Sequence, residues 1–178
     1  MSALGSAGRG GGGAWTVQVD GVAESLRILT KAGANLHGLD TGRVYLANST
    51  LRGRAKTLAE QLARTTIVPL VAAGPAPQSR KMAATVRAKV DRKPVVAIGA
   101  VNPKLSGWRR SAGNRRYKGS LAWGIERGPV GPPNRYGIAR RESGYILGPN
   151  MQLIQSRIAG PYREIVRDAL RHAGVGVS

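Results

Sequence analysis

Cysteine is absent from the 178 residues, which excludes disulfides, thiolate metal ligands and thiol nucleophiles. Phenylalanine is absent as well. Histidine occurs twice, at His37 and His172, too few for a histidine-rich metal centre. Acids are scarce: nine stand against 28 Lys and Arg, giving a formal net charge of +19. No apolar run approaches the roughly 20 residues that a membrane-spanning helix needs. The first 14 residues hold six glycines and no apolar segment, so a signal peptide is not expected there. These absences argue against a disulfide scaffold, a metalloenzyme and a membrane protein. What is present is a 42% apolar content with 25 Gly and 10 Pro, enough to build the core of one domain. The charge suits a polyanionic partner or a place in a large assembly.

Residues 1–14 read as a flexible Gly-rich tail, 15–174 as a single domain and 175–178 as a flexible end. Trp15–Asp20 alternates apolar and polar residues, the period of a strand. Glu24–Ala34 carries Leu26, Ile28 and Leu29 among Arg27 and Lys31, a short amphipathic helix. Asp40 or Thr41 can cap a second helix running to about Ala73. Its apolar stripe is Val44, Leu51, Ala55, Leu58, Leu62 and Thr65, with Lys56, Glu60 and Arg64 as ion-pairing steps on the opposite side. Pro69 kinks it or marks its last turns. Lys81–Val90 alternates apolar and basic residues, and with a turn at Asp91–Lys93 and Val95–Val101 it reads as a β-hairpin.

Residues 101–150 change character: 14 are Gly or Pro, ten are basic and two acidic. Asn102–Gly119 holds six basic residues and no acid, and reads as a long loop. Ser120–Arg127 fits a helical turn or short helix, and Tyr145–Leu147 a short third strand. The last helical stretch carries Leu153, Ile154, Ile158, Tyr162, Ile165, Ala169 and Leu170 on one stripe and Arg163, Arg167 and Arg171 on another face. Gly160-Pro161 makes it a kinked helix or two helices, and Gly174 fits its C-terminal cap. The expected fold is α+β. A small antiparallel sheet with a hairpin packs against a long helix and a C-terminal helix, with a basic loop insertion at 102–119.

No catalytic constellation stands out. Glu164 and Asp168 lie one turn apart, a spacing that suits a metal or proton transfer, yet each is expected to pair with Arg163, Arg167 or Arg171. His172 in the last helical turn favours the helix dipole. Gly8–Gly13 spells G-x-G-x-x-G but follows no strand and opens no helix, so it reads as chance. The cations carry the signal. Trp108-Arg109-Arg110 and Arg115-Arg116-Tyr117-Lys118 set aromatics beside positive charge, which suits phosphates and stacked bases or acidic surfaces of neighbouring subunits. Candidate contacts to DNA or an acidic partner are Lys104, Arg109, Arg110, Arg115, Arg116 and Lys118 in the loop, with Lys81, Arg87 and Lys89 on the strand.

Several local phrases also resemble one family. Gly21–Leu26 is matched to a short "G-h-x-x-L" helix with one residue more before the leucine, and Gly74-Pro75-Ala76-Pro77 ends the long helix. A strand pair follows over Thr85–Ala100. Ala122–Gly128 fits "A-x-x-h-E-x-G", with Ala122, Glu126 and Gly128 in the fixed places, and Tyr145–Pro149 leads through Pro149 into a terminal helix. In this order the chain resembles the tail-completion (neck) proteins of long-tailed bacteriophages over about residues 20–175. It departs from them in having Gln78-Ser79-Arg80 where a threonine-glycine turn is usual, and in the basic insertion.

The resemblance implies a structural virion protein at the head–tail joint, assembled in the host cytoplasm, with neither catalytic role nor cofactor. Its implied partners are copies of itself in a ring, the head connector, the tail terminator or tail-tube proteins, and genomic DNA in the lumen, with no membrane. Glu126 and its neighbours would occupy a structural turn, the charge serving an interface or satisfying local donors. The competing expectation is a free basic nucleic-acid-binding protein of ribosomal or genome-packaging type.

Overall fold

The computed structural model describes residues 13–16, 22–34, 41–98, 125–128 and 137–175. Apolar residues at three- and four-residue spacing form the helices. Val22–Ala34 is α1, which buries Val22 and Leu29 and leaves Ile28 exposed. Thr41–Leu62 is α2, its buried stripe made of Val44, Ala47, Leu51, Ala55, Ala59 and Leu62. Three of those six are alanines, so the partner helix can approach closely.

A π-helical turn, Ala63–Ile67, follows directly and leads into α3, Val68–Ala72. The Val68 amide reaches back five residues to the Ala63 carbonyl. Pro69 explains the widening: it offers no N–H, and its ring would crowd the Thr65 carbonyl in a regular α-helix. The extra residue also rotates the stripe. Thr65 was expected on the apolar side; it is exposed, and Thr66 and Ile67 point inward instead. Lys56, ahead of the turn, pairs with Glu60 at 3.5 Å, while Arg64 within it has no carboxylate partner among the described residues.

Ser79–Ala83 is α4, a correction to the hairpin expected over Lys81–Val90. Consecutive burial of Met82 and Ala83 suits a helical turn and cannot arise on one face of a strand. The Thr85 hydroxyl donates to the Met82 carbonyl at 2.7 Å and closes the turn. Only then does β2 begin, Arg87–Lys89, followed after a bend at 91–93 by β3, Val95–Ile98. Strand β1 is Gly13–Thr16, shifted from the expected Trp15–Asp20, and residues 17–20 lie outside the described residues. Gly13 and Ala14 of the expected tail therefore pair with the sheet, and the rest of that tail lies outside the described residues, as do 99–101 and the loop 102–119.

Among the described residues the sheet is three-stranded and antiparallel, in the order β1-β3-β2. Val96 and Ile98 of β3 join the core beside α2. Arg87 pairs with Ala97 and Lys89 with Val95, so both cations stand on the opposite face. The expected strand at Tyr145–Leu147 is instead a run of bends and turns.

Met151–His172 forms one continuous helix, α5, with Pro161 inside it. Gly160 and Pro161 are exposed, so the hydrogen bond that proline forfeits lies on the solvent side. Buried Ile158 and Tyr162 hold the helix across that point. Leu153, expected on the apolar stripe, is exposed. Gly174, at φ +78°, ends the helix, and the Val175 amide reaches the Leu170 carbonyl at 3.0 Å. Helices α2 and α5 pack antiparallel. Arg54 meets Asp168 at 2.7 Å, and Arg157 donates to the Thr66 hydroxyl at 3.1 Å. The α+β architecture expected from the sequence is the one observed, with one core joining α1, α2, β3, the 125–128 turn and α5.

Candidate functional site

Residues 125–127 form a single helical turn that buries Ile125 and Glu126. A buried carboxyl group needs hydrogen-bond partners, and Glu126 finds them in a run of backbone amides. Its Oε2 accepts from Ile146 at 3.1 Å and Leu147 at 3.0 Å, and its Oε1 from Leu147 at 3.1 Å and Gly148 at 2.9 Å. The Tyr145 amide donates to the Glu126 carbonyl at 2.7 Å, and the Arg141 amide to the Arg127 carbonyl at 2.8 Å. This is why residues 145–147 make no strand: the Tyr145 amide serves the Glu126 carbonyl, and the Ile146 and Leu147 amides serve its carboxylate.

Two glycines make the approach possible. Gly144 has φ +78°, and a side chain there would collide with the Glu126 carboxylate. Gly128, at φ +77°, lies against the Ala139 carbonyl with no room for a Cβ. Glutamate and glycine of the A-x-x-h-E-x-G phrase thus share one task, bracing the loop that leads into α5. Pro149 is exposed in the turn before that helix, and Ala122 lies outside the described residues.

The other described acids are engaged within the chain. Glu24 pairs with Arg27 at 3.7 Å, Glu142 with Arg140 at 2.8 Å and Glu164 with Arg167 at 2.9 Å. Asp168, expected to pair along its own helix, instead takes Arg54 from α2. Asp91 accepts from the Arg92 amide. Among the described residues no group of three or more His, Cys, Asp or Glu is arranged to hold a metal ion. Among them, too, no helix is long and apolar enough to cross a membrane.

The cations divide. Lys81 is exposed on α4, and Arg87 and Lys89 are exposed on β2. The Arg87 guanidinium is fixed by donating to the Val86 carbonyl at 2.9 Å and the Ala84 carbonyl at 3.3 Å. Lys104, Arg109, Arg110, Arg115, Arg116 and Lys118 lie outside the described residues.

Other members of the basic surface were not singled out in the sequence. The Arg92 Nη1 donates to the Thr30 hydroxyl of α1 at 3.1 Å. The Arg92 carbonyl accepts from the Tyr162 hydroxyl at 2.6 Å. Burial, and secondarily the Asp91 carboxylate, pushes the Tyr162 phenol above its ordinary range. Three elements thereby meet at the β2–β3 turn: Arg92 bonds to α1 at Thr30, the residue before Lys31, and to α5 at Tyr162. No spacing in the sequence announces that gathering.

Comparison with known proteins adds no identity. No family model, curated protein or solved structure matches the chain. The site therefore rests on its own geometry: an internally braced loop, acids engaged within the fold, and an excess of outward-facing cations.

Proposed function

We propose that this chain is a structural virion protein of the head–tail joint of a long-tailed bacteriophage, a neck or tail-completion subunit. On this reading, copies join into a ring around the DNA path and link the head connector to the tail terminator or tail tube. The protein is not a catalyst and takes no cofactor. It assembles in the host cytoplasm and works in the virion.

The observation that carries the reading is the charge imbalance. The described carboxylates are held by partners inside the chain and the whole chain carries a net charge of +19, so the described acids leave little to neutralise the described cations. Repeated around a ring, such a field would attract a polyanion at the axis or acidic neighbours above and below. The order of local phrases that resembles neck proteins agrees with it, and Glu126 suits a bracing role in that setting.

The test is a phage carrying Arg109, Arg110, Arg115 and Arg116 all changed to Ser. Filled heads that leak DNA or fail to join tails are expected. Normal particle yield and infectivity would contradict the reading. Tight binding of nucleic acid by the isolated monomer, with a salt slope of about −6 or steeper, would point to a free nucleic-acid-binding protein instead.

A further inference from the structure

The β2–β3 turn is more than a connection. It is fastened at two points, Arg92 to Thr30 through its side chain and Arg92 to Tyr162 through its carbonyl, while Arg87 at the start of β2 is held by the Ala84 and Val86 carbonyls. This rigid frame presents Lys89 and Lys93, with Lys31 on the neighbouring helix. All three are exposed, and none has a carboxylate partner among the described residues.

We infer that the β2–β3 turn, with Lys31 of α1, is a docking surface for the phosphate backbone of duplex DNA. The inference rests on the proposed place around the DNA path and names the surface that meets it. Two observations favour phosphates over an acidic protein. Protein interfaces are poor in lysine and built on aromatic or large apolar anchors. Here three lysines are displayed, and residues 87–95 hold no aromatic side chain that could serve as such an anchor. In addition, Arg87 and Lys89 lie two residues apart on one face of β2, about 7 Å along the strand, which is the axial rise of two phosphates on one DNA strand. The pinned Arg87 guanidinium keeps donors in a fixed fork for a forked oxyanion.

The experiment titrates the full chain with a labelled 30-base-pair duplex between 50 and 300 mM salt, beside the Lys31→Gln, Lys89→Gln, Lys93→Gln triple variant. The three lysines avoid the groups that fasten the turn, so the variant's thermal melt stays within a few degrees of the parent. Removing three phosphate contacts should make the slope of log K against log salt shallower by roughly 2.7, about 0.9 for each contact. A second readout needs no substitution: duplex should protect these lysines of the parent chain from reductive methylation.

An unchanged slope, or lysines equally methylated with and without duplex, overturns the inference. So does displacement of the duplex by polyglutamate at matched charge, which would assign the surface to an acidic protein. Particle joining is scored separately. A chain missing from virions whose duplex slope still depends on these lysines contradicts the neck reading alone, whereas a chain present in virions with no such dependence contradicts this inference alone.

Discussion

Glu126 is a charged residue buried among neutral amides, with no cation paired to it among the described residues. Replacing it with Ala leaves the Ile146, Leu147 and Gly148 amides facing a void, and the expected loss is about 3 kcal/mol. Gln keeps one acceptor oxygen and should lose less. The urea midpoint, read at constant m-value, separates the two. Equal midpoints for parent and Glu126→Ala would contradict the bracing role. Tyr162 gives a pH signature. Its folded pKa is raised, so the protonated phenol contributes stability that is whole below the unfolded value near 10 and is lost as pH climbs above it. Tyr162→Phe should cost about 1 kcal/mol at pH 7, because the Arg92 carbonyl loses its donor. It should also flatten the decline in stability between pH 9 and 11. A parent-like alkaline decline in the Phe variant would remove Tyr162 as its cause.

The helices carry avoidable flexibility. A Cβ at Gly53 of α2 would meet nothing within 4 Å, so Ala there should raise stability by about 0.5–1 kcal/mol. Thermal melts check this, and a fall would show that α2 needs glycine at that position. Long elements were legible in the sequence because their stripes are periodic: Val44, Leu51, Ala55 and Leu62 lie inward as their spacing predicts. Legibility stops at the π-turn, where one additional residue rotates Thr65 out and Thr66 in. It fails again over Lys81–Thr85, where an alternating pattern coincides with a five-residue helix whose burial was decided by the core. The Glu126 phrase was visible, but the amides it holds lie twenty residues on and carry no side-chain signature. The link between the β2–β3 turn and α1 depends on the Arg92–Thr30 bond across 62 residues of chain, which no local spacing encodes.

At the scale of the whole molecule, the described carboxylates are engaged internally, while the chain carries a net charge of +19. A lone subunit with that surface should bind duplex through a few phosphates, with a salt slope no steeper than about −3 to −4. A ring of subunits multiplies the field around its axis. The account's central claim is a place in the particle. It is tested most directly by immunogold electron microscopy of virions that carry an epitope-tagged copy of the chain. The account predicts label concentrated at the junction of head and tail, retained after free protein is washed away in high salt. Purified, infectious virions without the chain, or label scattered over the capsid and tail alike, would contradict it.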